Sequence, residues 1–119
     1  MTRSSWACAI LLCSFGCGKE ALPAPKVAET QSSISAAAAV GAEHNPQGAL
    51  HLKMARDQLQ MAESLARDGK DDEARLVLER ANADAELALM VTREEAARAE
   101  AQRAQQDVNN LAQPAQPNN

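Results

Sequence analysis

From Asp71 to Ala112 the chain runs without one proline or glycine, between Gly69 and a closing QPAQPNN segment, residues 113–119. Alanine, leucine, glutamate and arginine dominate this run, and these are the residues with the best helix propensity. Asp71, Asp72 and Glu73 place negative charge where a helix start is electropositive. The pattern predicts one helix over 71–112, about 42 residues and roughly 63 Å long at 1.5 Å per residue. Its first half offers two apolar stripes, Ala74-Leu78-Ala81-Ala85-Ala88 and Leu76-Ala83-Leu87-Met90, as expected of a helix with partners on two sides. The second half keeps one, Ala97, Ala101, Ala104, Val108 and Leu111, in steps of four and three. That spacing is coiled-coil-like, although most of these side chains are small. Glu94 and Arg98 make a favourable i,i+4 pair on the opposite face.

A helix of this kind needs partners, and the preceding segments supply them. Asn45-Pro46 combines a capping residue with proline at the first helical position, and Gly69 is a C-terminal stop. Between them a helix over 46–68 is predicted, with Leu52, Ala55, Leu59, Ala62 and Ala66 as its buried stripe. Met61 and Leu65 flank that stripe, and Lys53, Arg56, Asp57, Glu63 and Arg67 face outward. Further upstream, VAETQSSISAAAAV predicts a first helix over 27–40, closed by Gly41. The fold class is all-α: an antiparallel helical hairpin or small three-helix arrangement with a long C-terminal helix. The chain has 119 residues, with one Phe, one Trp and no Tyr, and both aromatics lie in its first 15 residues. Close packing through alanine and leucine therefore replaces a deep core. The span Ala55–Ala81 resembles one tetratricopeptide unit in part. Glu86 takes the place of the closing proline, however, and no second copy follows, so this reports a helix pair and no repeat array.

The first 16 residues have a different character. Arg3 supplies a short positive region, and Ser5 to Phe15 is uncharged and mostly apolar. That is the length of a signal h-region and too short to span a bilayer as a helix. Small residues surround the last cysteine, Ser14-Phe15-Gly16-Cys17-Gly18. This resembles the lipobox of bacterial lipoproteins, with Gly16 just before the cysteine and Ser14 where leucine is usual. Such a cysteine is acylated with two or three chains and becomes the new N-terminus, and stable anchoring takes more than one chain. The expectations are a cleaved signal over 1–16, lipid attachment (palmitate included) at Cys17, and a tether over 17–26. An uncleaved anchor is the rival reading. Zinc is disfavoured because Cys8, Cys13 and Cys17 have no fourth ligand nearby, and a disulfide would leave an odd cysteine. Residues 113–119 are read as a disordered tail.

No catalytic residues are identified, and no cofactor, metal or small-molecule site. His44 and His51 do not share a helical face if α-helix starts at Pro46. The Asp71-Asp72-Glu73 cluster reads as helix-start charge, and Met54, Met61 and Met90 read as packing residues. With 16 Asp and Glu against 12 Lys and Arg, both signs interspersed, the chain lacks the basic face of a nucleic-acid binder. The stripe Ala97, Ala101, Ala104, Val108 and Leu111 outruns the second helix, which covers only half of the third. It is expected to be an association surface for a second copy or another envelope protein. The alternatives are that helix 1 folds back along it, or that it is a solvated spacer.

From about Val27 to Val108 the chain resembles a family of bacterial lipoproteins catalogued as domain of unknown function 4398. The resemblance lies in SISAAAAVGA, EHNPQGA, ALHLKMARDQLQMAESLARDG and DDEARLVLERANADAELALM. It implies a periplasm-facing envelope protein with no defined activity. With Gly18 and not Asp after Cys17, the outer membrane is the expected location. Two functions remain. One is a lipid-anchored structural or interaction protein without catalysis. The other is an accessory or adaptor subunit of an envelope machine for cell-wall remodelling or outer-membrane maintenance.

Overall fold

Gly41 and Gly69 adopt left-handed φ, 84° and 75°, in the computed structural model, which describes residues 22–112. Each ends a helix. Helix α1 (Ala24–Ala39) stops before Gly41, and α2 (Pro46–Arg67) stops before Gly69. At Gly69 the N–H of Lys70 donates to Leu65 O at 2.9 Å and the Gly69 N–H to Ala66 O at 3.1 Å. These two bonds satisfy carbonyls that a helix end leaves open, and they turn the chain back on itself. Helix α3 (Asp71–Ala112) then runs 42 residues antiparallel to α2. A 3-10 turn, Ala42–His44, links α1 to α2.

Helix α1 begins three residues before the expected Val27. Pro25 falls in its first turn, where a missing N–H costs nothing because that donor has no helical partner anyway. The N–H groups of Lys26 and Val27 both donate to Pro23 O, at 2.9 and 3.1 Å. The segment expected as a tether up to residue 26 is therefore helical from Ala24 onward. Val40 and Asp68, expected inside helices, are their C-caps.

The core is alanine held close. Ala55, Ala62, Ala74, Ala81, Ala85 and Ala88 are all fully buried, and the largest fully buried side chains are Leu52, Leu78 and Thr30. A buried leucine contributes about 1.5–3 kcal/mol over an exposed one, so Leu52 and Leu78 carry a large share of the apolar stabilisation. Of the expected α2 stripe, Leu59 and Ala66 are half-buried, as is Glu63, which was expected outside. Met61, expected to flank the core, is 57% exposed.

Helix α3 has two neighbours, but not through its two apolar stripes. The stripe from Ala74 to Ala88 is buried, whereas Leu76, Ala83, Leu87 and Met90 are exposed. The second neighbour, α1, sits against Asn82 and Leu89. Ser33 Oγ donates to Asn82 Oδ1 at 3.4 Å, and Ile34, Ala38 and Leu89 pack on the cluster of Ala37, Ala42, Leu52 and Ala88. On the other edge of the buried stripe, Asp84 meets α2. The order is up-down-up, with α1 alongside the first half of α3. Helix 1 does not fold back along the second half, and Glu100–Ala112 is exposed throughout.

Candidate functional site

Where α1 ends and α2 begins, α3 continues past both without a neighbour among the described residues, and a polar junction marks the place. Asn45 caps α2 by accepting the Gly48 N–H at Oδ1, 2.7 Å away. Its Nδ2 donates to the Glu95 carboxylate on α3. One capping residue thus satisfies the first turn of α2 and holds α3 beside it. Gly48 is buried here, and a methyl group on it would come within 2.4 Å of Thr92 Oγ1 and 3.0 Å of Ala42 O. Thr92 itself is buried and donates to Ala88 O at 2.7 Å. Above this junction lies a shallow groove of about 460 Å³, lined by Gly41, His44, Asn45, Glu95 and Arg103 among others.

Lower down, polar side chains edge the helix contacts. Asp84 Oδ1 lies 2.9 Å from His51 Nδ1, and its Oδ2 accepts from Gln58 Nε2 at 2.7 Å. Both partners are on α2, so this carboxylate ties α3 to it. Asn82 does the same towards α1, and its Nδ2 also donates to Glu86 Oε1 at 2.9 Å. Oε1 of Gln58 is buried without a hydrogen-bond partner. The arrangement fixes helix register. Among the described residues no group of three or more His, Cys, Asp and Glu is placed to hold a metal ion.

The stripe Ala97, Ala101, Ala104, Val108 and Leu111 is exposed along its whole length, Val108 at 59% and Leu111 at 86%. At about 100° per residue it is turned roughly 140° from the buried stripe of α3. The side that continues the core stripe carries Glu95, Ala99 and Arg103 and faces the groove. So the distal apolar stripe does not extend the core. It extends the exposed stripe of Leu76, Ala83, Leu87 and Met90. Glu94 accepts from Arg98 Nη2 at 2.5 Å, and Gln105 Nε2 donates to Asn109 Oδ1 at 3.1 Å. Such i,i+4 pairs, with the alanines, support a helical segment that has no partner among the described residues.

Cys17, the expected lipid attachment point, lies outside the described residues, as do the signal segment and the tail. His44 is exposed in the 3-10 turn and His51 faces Asp84, so the two belong to different environments. Asp72 pairs with Arg75 at 3.0 Å in the first turn of α3. Met54 and Met90 are exposed at 38% and 67% rather than filling the core. No helix among the described residues is long and apolar enough to cross a membrane.

Apolar periodicity passes over Asn82, Asp84, Thr92 and Gly48, which organise these contacts. A signal for two of them exists. Thr92 falls four residues after Ala88, in step with the buried stripe, and a glycine inside a helical pattern marks a close approach.

These features define a class of protein: an all-helical hairpin, flanked by a shorter first helix, whose long third helix projects beyond its partners. The chain belongs to the family described as Domain of unknown function (DUF4398), whose model matches residues 25–104. The match covers all of α2 and most of α1 and α3. No curated protein and no solved structure matches the chain.

Proposed function

We propose that this chain is a lipid-anchored, non-catalytic interaction protein of the bacterial cell envelope, held at the outer membrane and facing the periplasm. The observation that carries the reading is the setting of Cys17: a positive start, an uncharged apolar run, then Gly16-Cys17-Gly18. Two or three acyl chains on one cysteine suffice for stable anchoring, where a single chain would be reversible. Helix α1 begins at Ala24, seven residues after Cys17, so the helical part would stand near the membrane. Because α1 runs alongside the first half of α3, its start lies at the Gly69 end. The distal half of α3 would then be the part able to reach furthest from the anchor. An exposed apolar stripe on an otherwise polar helix supports an interaction role.

The test is the mass of the protein recovered from bacterial membranes. Cys17→Ser is expected to give an unacylated, uncleaved chain, and Cys13→Ser is expected to be processed as the parent. A Cys17→Ser chain that is still cleaved and carries lipid would overturn the anchor.

A further inference from the structure

The two exposed stripes of α3 are one seam. From Leu76 the steps of four and three run through Arg80, Ala83, Leu87, Met90 and Glu94 into the stripe that starts at Ala97, without a break to Leu111. Every position in it is exposed. A strict 3.5-residue repeat drifts about 20° per heptad on a straight helix, and a partner that follows it does so by left-handed supercoiling.

We propose that this seam docks a second copy of the chain in antiparallel orientation, with Leu87 of each copy against Met90 of the other at the two-fold axis. The two charged positions select the occupant and its direction. In a parallel pair Arg80 would face Arg80 and Glu94 would face Glu94, two like-charge layers in an apolar seam. In the antiparallel pair Arg80 lies one layer, about 4.5 Å of rise, from Glu94 of the second copy, and two-fold symmetry makes the contact twice. Leu76 then meets Ala101 of the second copy, so a large side chain stands opposite a small one. Polar residues within such a seam set register and orientation at some cost in stability. The inference rests on the interaction-protein reading, and it sets the two copies of Cys17 at opposite ends of the pair, so a dimer held by both anchors would lie along the membrane rather than stand out from it.

The experiment is sedimentation of the full chain in detergent across a concentration series, for the parent, Arg80→Glu, Glu94→Arg and the double variant. Both positions are exposed; Glu94→Arg also gives up the surface pair with Arg98, so circular dichroism is recorded for each variant, with no more than a small loss of helicity expected. The parent is expected to form a dimer, and each single substitution to weaken it roughly tenfold or more, since like charges then meet at two places. The double variant should recover the parent's dimer, as should an equimolar mixture of the two single variants. A monomeric parent, a dimer indifferent to either substitution, or a double variant no better than the singles would overturn the proposal. None of these results touches the anchor, which stands or falls on the processing of Cys17.

Discussion

Gly48 in the first turn of α2 approaches Thr92 of α3 so closely that a methyl group there would lie 2.4 Å from the threonine Oγ1. Glycine inside a helix normally costs about 0.5–1 kcal/mol relative to alanine. Here the sign should reverse. Gly48→Ala is expected to destabilise the protein by roughly 1–3 kcal/mol, the usual penalty for overpacking, measured by urea unfolding. Thr92→Ala removes the nearest obstacle, so the double variant should be more stable than the sum of the two single losses. Recovery should be partial, since Ala42 O would still be 3.0 Å away. Additive losses would mean that the two residues are not in contact.

Leu76 and Leu78, two residues apart on α3, should respond in opposite ways. Leu78 is 1% exposed and Leu76 is 51% exposed. Leu78→Ala is expected to cost about 2–5 kcal/mol through lost burial and the cavity left behind. Leu76→Ala should change stability by no more than about 0.5 kcal/mol at a concentration where the chain is monomeric. Thermal melts followed by circular dichroism decide it.

Asn45 and Glu95 offer a graded pair. Asn45→Ala removes both the cap on the Gly48 N–H and the tie to α3, with an expected loss of about 1–2 kcal/mol. Glu95→Ala removes only the tie and should cost less, because Asn45 keeps the cap. A larger loss for Glu95→Ala in denaturant titrations would place the weight of the junction on the carboxylate.

Ending the chain after Ala99 removes the part of α3 that is exposed throughout and has no helical partner among the described residues. Its unfolding free energy should stay within about 0.5 kcal/mol of the parent's under monomeric conditions. Self-association should weaken, since the contact of Leu76 with Ala101 of a second copy is lost. A substantially lower melting temperature for the shortened monomer would show that the distal segment packs on its own chain.

Much of the fold was legible in the sequence because its causes are local. Gly69 can take the left-handed turn that ends α2. Asn45-Pro46 can start that helix, and the breaker-free run after Gly69 can only be one long helix. The buried stripe Ala74 to Ala88 was legible too, since alanine and leucine at steps of three and four face one way. Pro25 misled about the start of α1, because proline reads as a break although the first turn accepts it. Periodicity alone assigned two stripes to the first half of α3 and could not say which would be covered. Tertiary structure decided that. Asp84 reaches His51 and Gln58, Asn82 reaches Ser33, and these contacts turn one stripe inward and leave the other in solvent. Each joins residues 26 to 49 positions apart, so no local propensity encodes it. The side of α3 that α1 covers is settled by non-local hydrogen bonds and by the closeness that Gly48 allows, and the exposed seam is what remains.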